Sequence, residues 1–193
     1  MKKPRFAVFL FTATLLAAAL PLNSAHAEGG LFDNPKNSLP GAVEANDPPR
    51  VKYFLGRGEN PDGKNNNGVP ALVLAAMGGN PLIVKMLLDA HARGNLADEN
   101  RNTALHWAAK RGDADVLLLL LDAKVPTDMQ NREGATPLML AAGAGHTGTI
   151  RLLLQSHADG RVMDYSGHDA LDWAEDNRRN AAAKLLREAG ITH

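Results

Sequence analysis

The sequence predicts an all-α solenoid of stacked helical units, each entered through a turn, and three observations carry that reading. Four short segments stand in one phase at intervals of 33 residues: Pro70 to Ala76, Thr103 to Ala109, Thr136 to Ala142 and Asp169 to Glu175. Each is followed by a stretch with hydrophobics at helical spacing: Val84 to Leu88, Leu117 to Leu121, Ile150 to Leu154 and Ala183 to Arg187. A turn with glycine near its end, at Gly68, Gly134 and Gly167, leads into three of the four units. A period of this length implies stacked supersecondary units that share one continuous core. Their usual product is an extended binding surface and not an active-site cleft.

The elements follow in chain order. Lys2, Lys3 and Arg5 precede an apolar run from Phe6 to Leu20, and Pro21 leads to Ala25-His26-Ala27, the small-x-small pattern cut by signal peptidase. Residues 1–27 read as a cleaved signal peptide of bacterial type, because the 15-residue apolar run falls short of the roughly 20 needed to span a bilayer. Residues 28–36, with Gly29, Gly30, Asn34 and Pro35, show no periodicity and read as a flexible linker. Residues 37–64 form a partial capping repeat: Val51 to Leu55 lie 33 residues before the Val84 stretch, and Leu39, Ala42 and Val43 share the phase of Leu72, Ala75 and Ala76. Four full units follow at 65–97, 98–130, 131–163 and 164–193.

Pro81 suits the first turn of a helix, where N–H donors have no intrahelical partner. Thr103, Thr136 and Asp169 stand where a side-chain oxygen caps the first helix of a unit. Arg178, Arg179, Lys184 and Arg187 place charge in the last pair, as suits a terminal unit facing water.

Composition removes several function classes. Without the signal peptide, 18 Lys and Arg stand against 21 Asp and Glu, so the mature chain lacks the uniform positive field that nucleic-acid binding draws on. Cysteine is absent, which excludes disulfides, thiolate catalysis and cysteine-based zinc sites. The exported domain is therefore held by its hydrophobic core alone.

The third unit reads Gly134-Ala135-Thr136-Pro137-Leu138-Met139-Leu140-Ala141-Ala142, then Gly145-His146, Leu152-Leu153-Leu154 and His157-Ala158-Asp159. These residues, repeated in phase over nearly all of the mature chain, resemble the ankyrin repeat. The resemblance implies a β-turn finger and two antiparallel helices per unit, stacked into a slightly curved solenoid. Departures are Arg101 for the turn glycine, Pro70 for the capping threonine and Arg178 for the glycine between the last two helices. His91, Lys124 and His157 occupy the glycine position after the second helix, where a left-handed backbone costs on the order of 1 kcal/mol.

Several motifs that suggest chemistry fall into this frame. Gly143-Ala144-Gly145-His146-Thr147-Gly148 matches a dinucleotide-binding turn, but its apolar prelude is the third copy of a helical element. His106 and His146 occupy positions that make structural hydrogen bonds in ankyrin repeats. His168 and Asp172, at i and i+4 with Asp164 and Asp169 nearby, form the one candidate metal cluster. Ser166 lacks a nucleophile elbow and an assignable base. Trp107 and Trp173 share one repeat position, read as core packing. No cofactor, metal or catalytic residue is expected, and the chain is not expected to be an enzyme.

The resemblance places a partner on the concave face, at finger tips and first-helix ends. Carried over, these positions are Asn66, Asn67, Val69, Met77 and Gly78, then Glu99, Asn100, Asn102, Lys110 and Arg111. The third unit adds Arg132, Glu133, Ala135, Gly143 and Ala144, and the fourth adds Tyr165, Ser166, His168, Asp176 and Asn177. Lys110, Arg111 and Arg132 suggest a basic centre, and Gly143 with Ala144 a shallow gap beside it. Arg111, Arg132 and Tyr165 are the expected anchors, since arginine and tyrosine dominate interface energetics. The functional expectation is a monomeric, non-catalytic periplasmic module that binds an envelope protein, with no nucleic acid and no stable membrane anchor. The alternatives are a secreted protein that binds a host or competitor target, and a metal-binding or enzymatic protein centred on His168.

Overall fold

The computed structural model describes residues 37–192, so the expected signal peptide at 1–27 and linker at 28–36 lie outside the described residues. The described residues form five consecutive helix pairs: α1 (Leu39–Glu44) with α2 (Pro48–Gly56), α3 (Ala71–Gly78) with α4 (Pro81–Asp89), α5 (Ala104–Arg111) with α6 (Ala114–Asp122), α7 (Pro137–Ala144) with α8 (Thr147–Gln155), and α9 (Ala170–Asp176) with α10 (Asn180–Glu188). First helices touch first helices along the array, second helices touch second helices, and each pair closes on itself. Two layers result, as the 33-residue period requires. None of these helices is long and apolar enough to cross a membrane.

Small and large side chains divide the packing between them. Ala75, Ala108, Ala141 and Ala174 are buried at one phase of the first helices, where a methyl group lets neighbouring units approach closely. Leu72, Leu105, Leu138 and Leu171 fill the space toward the second helices, which supply Leu87, Leu120, Leu153 and Leu186. The core is thus one leucine and alanine seam running the length of the array.

Local signals start and stop the helices. Asp169 accepts from the N–H groups of Leu171 and Asp172, Asn80 from those of Leu82 and Ile83, and Thr136 from that of Met139. Pro70 begins α3 with no side-chain cap, as its departure from the repeat pattern implies. Between α5 and α6 the backbone turns through Gly112 at φ 75°. A Cβ there would stand 2.7 Å from the His146 ring of the next unit, so glycine serves both the turn and the stacking.

The left-handed positions expected from the sequence are present: His91, Lys124 and His157 after second helices, Arg101 in a finger and Arg178 between the last helices, with φ between 57° and 64°. Asn46 adds a sixth at φ 53°. Replacing Lys124, exposed and at φ 58°, with glycine is expected to raise the free energy of unfolding by about 0.5–1 kcal/mol. Urea denaturation measures it, and a loss of stability would contradict the strain at this site.

Candidate protein-binding surface

Each finger is organised by one Asx side chain at its first position. Asn65, Asp98, Asn131 and Asp164 each accept, through Oδ1, from the backbone N–H groups two and four residues on, at 2.8–3.0 Å. The carbonyl of the same residue accepts from Gly68, Arg101, Gly134 or Gly167, which closes a β-turn. Short polar side chains that bond their own backbone are what hold such turns without a sheet.

The second side-chain atom of that residue has two fates. In the aspartate fingers Oδ2 accepts the indole N–H nine residues on: Trp107 to Asp98 at 2.9 Å and Trp173 to Asp164 at 2.8 Å. In the asparagine fingers the residue nine on is leucine, and Nδ2 instead donates to the preceding unit: Asn65 to Glu44 and Asn131 to Asn102. The units therefore alternate in kind. Burial pushes the Asp164 carboxyl upward, but bonds from the His168 N–H, the Trp173 indole and the Ser166 N–H, with the charge of His168, hold it below the ordinary aspartate range. The tryptophans pack against the core as the sequence suggested, but at its edge. They are half-buried, lying against the core with the polar edge of the indole turned to the finger.

Backbone bonds link successive fingers. Arg132 N–H donates to the Asn100 carbonyl at 2.9 Å, and Tyr165 N–H to the Glu133 carbonyl at 3.2 Å. Between the second and third full units this leaves a cleft of about 220 Å3. One wall is Asn100, Asn102, His106, Trp107 and Lys110, the other Asn131, Arg132, Glu133 and Leu140. Lys110 Nζ stands 5.5 Å above the centre of the Trp107 ring, a cation–π arrangement that favours an ammonium position beside the cleft. The cleft persists because position 140 carries leucine. One unit later Trp173 occupies the equivalent position and closes on Gly143, where a Cβ would meet the ring at 3.0 Å.

Beneath the cleft, His106 joins two units. Its Nδ1 accepts from the Thr103 N–H at 3.2 Å and lies 2.9 Å from the Thr103 hydroxyl, and its Nε2 donates to the Ala135 carbonyl at 3.1 Å. Desolvation on burial lowers its pKa to about 4, against weaker upward pulls from the Ala135 and Met129 carbonyls and from Asp98. It is therefore a neutral structural residue. His146 plays a related part, its Nε2 lying 3.1 Å from the Lys110 carbonyl.

The residues expected on the concave face divide as follows. Glu99, Asn100, Lys110, Arg132, Glu133, Tyr165, His168 and Asp176 are exposed, and Asn102 is half-buried. Asn100, Asn102, Lys110, Arg132 and Glu133 line the cleft between the second and third full units. Arg111 does not line it; its guanidinium pairs with Asp113 at 2.5 Å, over Gly79 of the preceding unit. Ala135 is fully buried and offers its carbonyl to His106, which removes it from the surface. The expected gap at Gly143 and Ala144 is occupied, since Gly143 is the seat of Trp173 and its carbonyl accepts from Arg179 at 3.1 Å. Sequence reasoning missed Trp107 and Leu140 as surface-lining residues. The signal was present as the Asp98-to-Trp107 and Asn131-to-Leu140 spacing, repeated at 164 and 173.

Two motifs that suggest chemistry have structural settings in the described residues. Asp172 turns its Oδ2 to the Asp169 N–H at 3.0 Å, and Asp164, with Oδ1 3.9 Å from His168 Nδ1, spends its oxygens on its finger and on Trp173. No cluster of three His, Asp or Glu side chains able to hold a metal occurs among the described residues. The glycine-rich segment starts inside α7, turns at Gly145 with φ 84° and ends in α8, with no strand before it.

Stacked helix pairs with a fingered, charged face define a helical-repeat scaffold of the interaction type. The chain belongs to the ankyrin-repeat family: the family model for ankyrin repeats (3 copies) matches residues 39–128 and 123–193. Among curated proteins no match is found.

Proposed function

We propose that the chain is a non-catalytic protein–protein interaction module of the bacterial periplasm that holds an envelope protein on its finger-side face. The observation that carries the surface is the cleft between the second and third fingers, where Lys110 and Arg132 meet an aromatic and an aliphatic wall. Ankyrin repeats generally mediate protein–protein contacts, and an aromatic flanked by arginine is the composition of an interface anchor. The location rests on Lys2 to Ala27, whose pattern is that of an export signal.

The test is crosslinked capture from a periplasmic extract with the native chain and with Lys110→Glu combined with Arg132→Glu. Capture of the partner is expected to fall at least tenfold while the helical circular-dichroism spectrum is unchanged, because both side chains are exposed and neither is part of the core. Undiminished capture would remove the surface. Fractionation checks the location: recovery from the medium instead of the periplasm would favour a secreted protein acting on an outside target.

A further inference from the structure

Besides the cleft, the described residues offer an apolar groove between α2 and α4, lined by Pro48, Pro49, Leu55, Leu82 and Met86. Nothing in the structure indicates what would cover it. The cleft carries more, because its charges and walls restrict what can enter.

We propose that this cleft receives a glutamate side chain of the partner protein, its carboxylate between Lys110 and Arg132 and its methylenes against Trp107 and Leu140. The inference rests on the protein-binding reading and names the chemistry that the surface recognises. Size is the first restriction. About 220 Å3 is smaller than the roughly 300–1,000 Å3 of pockets that take drug-sized ligands, and suits a single side chain.

Charge is the second. Neither Lys110 nor Arg132 has an acidic side chain within ion-pair distance among the described residues, so both charges are free to meet an anion. Glu133 stands on the same rim, so the three ionised side chains leave one net positive charge. That balance matches the single charge of a carboxylate and leaves the second charge of a phosphate dianion uncompensated.

Hydrogen bonding agrees. Asn102 Oδ1 is taken by Asn131 Nδ2 at 3.0 Å, which leaves the Asn102 amide to present N–H donors. Lys110 already stacks over the Trp107 ring, 5.5 Å from its centre, so its ammonium is biased toward the cleft before any ligand arrives. The indole and Leu140 complete an apolar lining for an aliphatic stem. An internal glutamate is chosen over a chain terminus because the cleft lies between finger tips along an extended face, where a passing segment inserts one side chain.

The test uses the two tryptophans as reporters. The indole N–H resonances of Trp107 and Trp173 are assigned with Trp173→Phe and followed in proton–nitrogen correlation spectra of the full mature chain. The probes are N-acetyl-glutamate N-methylamide, its glutamine counterpart, and N-acetyl-leucine, whose carboxylate sits at a chain end. The expected result is a saturable shift of the Trp107 indole with the glutamate probe in the millimolar range, with Trp173 unmoved. The shift is expected to weaken in high salt and to vanish in Lys110→Met combined with Arg132→Met. It is also expected to vanish in Leu140→Trp, which places in the cleft the indole found one unit later.

A silent Trp107 would overturn the proposal, as would an equal response to the glutamine probe or an equal movement of Trp173. A shift with N-acetyl-leucine alone would assign the cleft to a C-terminal carboxylate and overturn the internal glutamate. If the probe is silent but capture still depends on Lys110 and Arg132, the ligand chemistry falls and the interaction surface stands. If the probe binds but capture ignores those residues, the reverse holds.

Discussion

Lowering the pH through the window from 6.5 to about 4 is expected to remove on the order of 3 kcal/mol of folding free energy through His106 alone. The folded pKa lies below the unfolded value, so between the two the unfolded chain binds the extra proton and stability falls with the pH. Above the window both states are neutral at this site, and below it both are protonated, so the whole effect lies inside it. The cause is geometric as well as dielectric. His106 is fully buried and its Nδ1 accepts the Thr103 N–H, so a proton on that nitrogen would face a donor. Asp164 does not contribute there: its depressed pKa makes its contribution fade only below the usual aspartate value of 3.8. The control is His106→Met, because methionine serves the equivalent position at Met139, where its sulfur accepts the Thr136 N–H. The stability difference between native chain and variant, from urea melts across this range, should shrink by about 3 kcal/mol on acidification. A pH-independent difference would show that His106 does not carry it.

Truncating Leu138 to alanine is expected to cost about 3–4 kcal/mol and to break the cooperativity of unfolding. Leu138 is fully buried in the third full unit, with further units on both sides, and Gly160 lies close to its Cδ2. A repeat array is held by its units and the contacts between neighbours, so a cavity in an interior unit uncouples the halves that flank it. The tryptophans report the halves separately, since Trp107 belongs to the second full unit and Trp173 to the fourth. Fluorescence melts of Trp107→Phe and Trp173→Phe, each combined with Leu138→Ala, should give midpoints that differ from one another. Coincident midpoints with a loss under about 1 kcal/mol would mean that the core at this position repacks.

The fold was legible because a 33-residue period leaves few choices: the same positions recur as leucine, alanine and cap, and each error in phase would put leucine in water. The strained positions were legible for a related reason. Lys124 and Arg101 stand at repeat positions whose backbone is left-handed in every copy, whatever residue occupies them. The candidate face was only partly legible. Lys110 and Arg132 were found from repeat position, but Arg111, one residue from Lys110, turns away to Asp113, because adjacent residues on a helix point about 100° apart. Ala135 looked like a finger residue and proved to be buried, since its carbonyl meets His106 of the previous unit.

The period by itself determined the helix pairs, the composition of the seam between them and the side on which the fingers lie. Tertiary structure alone decided that the junction between the second and third full units holds a cleft. Trp173 closes on Gly143 in the next unit, while Leu140, facing Lys110 across the equivalent junction, is too small to do so. The reason is that a repeat specifies each unit in the same terms, whereas a cleft depends on the sizes of two side chains from different units, which meet only when the units are stacked.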